Sequence, residues 1–99
     1  MPDTALLVID VQESFRHRPY WDEADLPRFL ERSQTLIDGA VARNVPVLQV
    51  FHVDEAGGSF SLASGHVRTL EPLRLTPDAV FHKRRHSALV GSGLEVWLN

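Results

Sequence analysis

The sequence predicts an α/β protein built on a parallel sheet. Three observations predict it. The unbroken apolar run Ala5-Leu6-Leu7-Val8-Ile9 suits a strand covered on both faces, as parallel sheets require. Residues 27–43 carry apolar side chains at helical spacing. Val45 to Val53 then returns to a strand-like run, so strand and helix alternate along the chain.

Each element has its own signal. Residues 5–10, the apolar run closed by Asp10, are expected to form a central strand. Glu13 to Leu26 is polar and aromatic, contains Pro19, and reads as a long loop. Pro27 suits a first helical turn. Phe29, Leu30, Leu36, Ile37, Ala40 and Val41 then recur with Glu31, Arg32, Gln34 and Asp38 between them, an amphipathic helix over 27–43. Asn44 is a stop signal. Pro46 fits only near the start of the second strand. Residues 54–66 hold Gly57, Gly58 and Gly65 among small residues and read as a flexible loop. Val67 to Leu75 is ambiguous, with Pro72 breaking any long helix. Asp78 to His82 reads as a third short strand around Ala79-Val80-Phe81. Gly91-Ser92-Gly93 is a turn or a cap, and Leu94 to Leu98 begins a second helix.

Composition bounds the function classes. The 99 residues make one domain, 1–99. Hydrophobic residues are 43% and charged residues 23%, an ordinary globular balance. Ten basic side chains face thirteen acidic ones, for a net charge of −3. A duplex binder shows a basic excess or stripe, and the one basic cluster here is Lys83-Arg84-Arg85. No nucleic-acid partner is expected. The 99 residues contain no cysteine. That excludes, for these residues, a disulfide scaffold, a thiolate zinc site, an iron–sulfur cluster and a cysteine nucleophile. The N-terminus lacks a basic n-region, and its apolar run is too short for a signal peptide or a membrane span. A cytoplasmic protein with no membrane partner is expected.

Several residues could carry chemistry. Asp10 closes the first strand, and ligands of open α/β sheets bind outside the carboxyl ends of strands. A carboxylate after five apolar residues is expected to be partly desolvated, which suits a base; an Asp that orders the next loop is the plainer alternative. Lys83 closes the third strand, on the same rim if the strands are parallel. It could hold a carboxylate or an anionic intermediate, or be a solvated charge. It is the sole lysine beside nine arginines, a bias consistent with a place arginine cannot fill. His52 and Asp54 follow the second strand. Their His-x-Asp spacing is a weak metal signal, loop histidines with ordinary partners are the simpler reading, and no metal is assigned. Ser87 beside His86 lacks a G-x-S-x-G elbow and reads as a capping hydroxyl. No Walker or Rossmann glycine pattern is present. Phe15, Tyr20, Trp21 and Phe60 lie in loops on the rim and could line a small apolar pocket.

Two segments together resemble a known family. Leu6-Leu7-Val8-Ile9-Asp10-Val11-Gln12-x-x-Phe15 resembles the opening strand of the isochorismatase-like cysteine hydrolases. His82-Lys83-Arg84-Arg85-His86-Ser87-Ala88-Leu89 resembles their lysine segment, commonly K-x-x-x-S-A-F, with Leu89 in place of the Phe. The helix, the Val45-Pro46-Val47 strand and Leu70-x-Pro72 fall between them in the expected order. The resemblance implies a three-layer α/β/α, Rossmann-like parallel sheet of six strands, of which the first three are present, so the domain is expected to be incomplete. It also implies a hydrolase of small amides or related C–N substrates, less often of vinyl ethers, working through an Asp–Lys–Cys triad.

Carried over residue by residue, Asp10 matches the Asp and Lys83 the Lys. Gln12, Phe15, His52 and Phe60 are expected at the substrate pocket. The family's cysteine lies on a later strand–helix turn, beyond Lys83, and has no counterpart here. The metal motif of the nicotinamidases, Asp-x-His, appears here only in the order His52-Val53-Asp54. No cofactor is expected. The implied reading is a chain that is inactive alone, truncated relative to the family, with an open sheet edge through which copies associate. The alternative is a non-catalytic module, derived from that fold, that binds a small ligand or a protein partner.

Overall fold

A computed structural model describes residues 4–54 and 57–84. The described sheet has three parallel strands, β1 (Leu6–Ile9), β2 (Val47–His52) and β3 (Ala79–Lys83), in the order β1-β2-β3. Register runs from Leu6 opposite Val47 to Ile9 opposite Val50, and from Leu48 opposite Ala79 to His52 opposite Lys83. All three carboxyl ends therefore lie on one rim. Helix α1 (Leu26–Ala42) supplies the β1–β2 crossover. The β2–β3 connection is irregular, with single 3₁₀ turns at Gly58–Phe60 and Leu62–Ser64. The expected helix at Leu94 to Leu98, Ser87 and the Gly91-Ser92-Gly93 turn lie outside the described residues, among which α1 is the one α-helix and covers one face of the sheet.

Alternation divides the sheet into two faces. On one, Val8, Val47, Ile37 and Leu73 are buried together, with Leu30 and Ala40 of α1 packed on them. On the other, Leu48 and Val50 are buried against Ala5, Ala79 and Phe81. β2 is the central strand, and every residue from Val47 to Phe51 is buried. β1, expected at the centre, borders the described sheet. Its residues Leu7 and Ile9, which share the second face with Leu48 and Val50, remain 37% and 39% exposed, since α1 covers the opposite face. Nor is the helix buried on as wide a face as its sequence implies. Leu30, Ile37 and Ala40 point inward, whereas Phe29, Leu36 and Val41 stay exposed on the flanks.

The helix ends where its sequence says. Pro27 sits in the first turn, Arg43 is the C-cap, and Asn44 follows with φ +57°. Asn is among the few side chains that tolerate this left-handed position. Two aspartate and glutamine clasps then fix the strand starts and loops. Asp78 accepts the Val47 N–H at 2.8 Å and returns its own N–H to the Val47 carbonyl. Gln34 of α1 accepts the Arg74 N–H and donates to the Arg74 carbonyl, both at 2.8 Å. A side-chain amide can thus imitate a neighbouring peptide group and tie an irregular segment down. No helix among the described residues is long and apolar enough to cross a membrane.

Candidate functional site

Asp10 and Lys83 come from the outer two strands of the described sheet. Neighbouring strands are about 4.8 Å apart, so the gap from β1 to β3 is about 10 Å. Lys83 closes it with its long stem. Its side chain is 2% exposed, and Nζ lies 3.3 Å from Oδ1 of Asp10. Burying an ammonium requires a compensating charge or hydrogen bonds, and the carboxylate supplies the charge. Asp10 itself is 36% exposed on its side chain, so the pair has one buried and one reachable end.

The Asp10 backbone is unusual. Its φ is +61°, a left-handed conformation that Asp tolerates better than most residues. The Asp10 N–H still reaches the Val50 carbonyl at 2.9 Å, completing the β1 ladder. The chain therefore turns sharply just after its last strand bond, and the carboxylate is directed across the strand ends. Such a backbone position costs energy and tends to occur at working sites.

Beneath this rim, Gln12, Glu13 and Ser14 form a buried polar layer. Gln12 is 1% exposed. Its Oε1 accepts the His52 N–H at 2.8 Å, and its Nε2 donates to the His52 carbonyl at 2.9 Å and to Ser14 Oγ at 2.8 Å. It thus prolongs the β1–β2 ladder by one side chain. Expected at the substrate pocket, Gln12 has its amide nitrogen committed to His52 and Ser14, level with the strand end where Lys83 lies. Ser14 Oγ donates to the His66 carbonyl at 3.0 Å. Glu13 Oε2 accepts the Glu71 N–H at 3.1 Å. Together they anchor residues 66–71. Sequence reasoning missed the roles of Glu13 and Ser14. Their signal was a polar triplet directly after a buried strand, where a long loop needed anchoring.

The remaining predicted pocket residues do come together. His52 is the register partner of Lys83. Its ring meets the edge of Phe60, with centroids 5.6 Å apart, and Phe60 meets Phe15 at 4.8 Å. Phe60 is buried, and its carbonyl accepts the Asp54 N–H, which fixes the turn against the end of β2. The Val53 N–H in turn bonds the Lys83 carbonyl. An aromatic wall therefore stands beside the ion pair. Among the described residues, no group of three or more His, Cys, Asp or Glu could hold a metal ion. A wide concavity of about 1180 Å³ lies between α1 and residues 72–76. It belongs to the helix face, away from Asp10 and Lys83.

The family model described as the Isochorismatase domain matches residues 4–99. Solved structures agree in fold. An isochorismatase-like protein from Burkholderia xenovorans is 30% identical over 98% of this chain and 48% of its own, with a TM-score of 0.80. A protein of the isochorismatase family from Chromobacterium violaceum is 25% identical over 98% of this chain and 51% of its own, with a TM-score of 0.79. N-carbamoylsarcosine amidase from Thermoplasma acidophilum shares the fold at 19% identity, over 96% of this chain and 60% of its own, with a TM-score of 0.77. The chain spans about half the length of the first two of these structures.

Proposed function

The chain belongs to the isochorismatase family, and on that premise we propose that Asp10 and Lys83 are the charged pair of a hydrolase acting on small amides or related C–N substrates. The observation that supports this reading is the 3.3 Å approach of a buried ammonium to a reachable carboxylate at the strand ends. In the proposed reaction the Asp10 carboxylate accepts the proton of the attacking group. The Lys83 ammonium orients that carboxylate and offsets negative charge that develops as the amide carbon is attacked. The nucleophile of the proposed Asp–Lys–Cys triad is a thiol that these 99 residues do not contain. Attack forms a thioester and releases the amine with the transferred proton, and water then hydrolyses the thioester to the acid. By themselves, then, the 99 residues bind but do not turn over.

A second reading is a module that keeps Asp10 and Lys83 only for recognition, for which the reachable Asp10 carboxylate is the supporting observation. Two assays together separate the cases. Homogeneous 99-residue chain is assayed for ammonia release from primary amides and for carboxamide binding. The expected result is no release, with binding that is lost in Lys83→Ala. Ammonia release that disappears in Asp10→Asn would contradict it and indicate water activated by Asp10. For the recognition module, the protein expressed from its natural reading frame also binds without turnover.

A further inference from the structure

We propose that Arg18 selects substrates carrying a carboxylate in addition to the amide, an inference that rests on the amide-hydrolase reading of the neighbouring site. Arg18 lies in the loop between β1 and α1. Its guanidinium carbon stands 5.3 Å from the centre of the Phe60 ring and 5.9 Å from that of Tyr20. Phe60 is the ring that packs on His52, the register partner of Lys83. Two rings in contact, Phe60 and His52, therefore lead from Arg18 to the strand position beside Lys83.

Its neighbours differ from it in one respect. Arg16 donates to the Glu71 carbonyl at 2.9 Å and lies 3.7 Å from Glu13 and 3.6 Å from Glu23. Arg68 pairs with Glu71 at 2.9 Å. Three acidic residues of the loop are engaged too: Glu13 and Glu23 by Arg16, and Asp22 by the Ala24 N–H. Among the described residues no carboxylate pairs with Arg18. An arginine held on aromatic faces keeps its N–H edge open, and that planar edge matches a carboxylate with two parallel hydrogen bonds. Restriction by the ring lowers the ordering cost of binding. A small molecule with a carboxamide toward Asp10 and Lys83 and a carboxylate toward Arg18 fits this order of groups.

Calorimetric titration of the full chain tests it. The probes are the monoamides of malonic, succinic and glutaric acid, each against its neutral diamide. At least one monoamide is expected to bind about tenfold tighter than its diamide, the worth of one charge-assisted pair. Arg18→Gln reduces the preference to within about twofold, and Arg18→Lys, which keeps charge without the fork, retains part of it. Equal binding of monoamide and diamide overturns the proposal and leaves the amide reading intact. A preference that survives Arg18→Gln in folded protein overturns it as well. Binding of no amide of either kind overturns both readings.

Discussion

Lys83 spans the end of β2 to place its ammonium 3.3 Å from the carboxylate of Asp10, with the lysine buried and the aspartate reachable. This asymmetry predicts unequal effects on stability. Lys83→Met keeps an apolar stem of similar length and removes a buried charge, so stability should change by less than about 1 kcal/mol or rise. Asp10→Asn leaves the ammonium in place and removes its carboxylate, which should cost about 1–3 kcal/mol, discounted for solvent at Asp10. Urea titration of both variants gives the comparison. Equal losses in the two would contradict it.

Gln12 is predicted to matter for architecture. Replacing it by Leu leaves the His52 N–H and carbonyl without their side-chain partner in a buried layer. The expected loss is about 2–4 kcal/mol, and hydrogen exchange of the His52 amide should accelerate. An unchanged exchange rate would show that the clasp is dispensable.

Asn44 holds φ +57° at the end of α1. Glycine accepts that angle freely, so Asn44→Gly should lie within about 0.5 kcal/mol of the parent. Asn44→Val places a branched side chain in the left-handed region and should cost about 1–2 kcal/mol. Thermal unfolding of the pair distinguishes the conformational effect from lost side-chain bonds.

The outer edge of β1 is predicted to be an association surface. Leu7 and Ile9 are partly exposed, and beside them Phe29 and Leu36 of α1 are exposed too. Apolar strands with unpaired edges recruit further chains. Size-exclusion chromatography of the 99-residue chain should show species larger than a monomer, diminished in Leu7→Lys/Ile9→Lys. A monomer at all concentrations would count against this surface.

Much of this was legible in the sequence, for identifiable reasons. The apolar run before Asp10, the helix bounded by Pro27 and Asn44, and the short Ala79-Val80-Phe81 strand all carry local signals, and all three appear within a residue or two of expectation. Asp10 and Lys83 were legible as strand-end residues of a parallel sheet. That Lys83 could hold a carboxylate on that rim was legible too; that it reaches across β2 to do so was not, because that depends on strand order. With β2 between them, only a long side chain could close the gap. The bonds of Gln12 to His52 were not legible, because sequence shows an amide's chemistry but not which peptide group it meets. The exposed flank of α1 was illegible for a related reason: periodicity marks which side chains could be buried, and only the width of the sheet decides how many are.

The most direct test is amide hydrolysis by the protein expressed from its natural reading frame, with ammonia release measured for the parent, Asp10→Asn and Lys83→Met, each shown to be folded. The account predicts that each substitution lowers the rate by at least about a hundredfold, as expected for loss of a proton acceptor or of charge stabilisation. A folded Asp10→Asn or Lys83→Met protein that hydrolyses amides at the parent rate would contradict it.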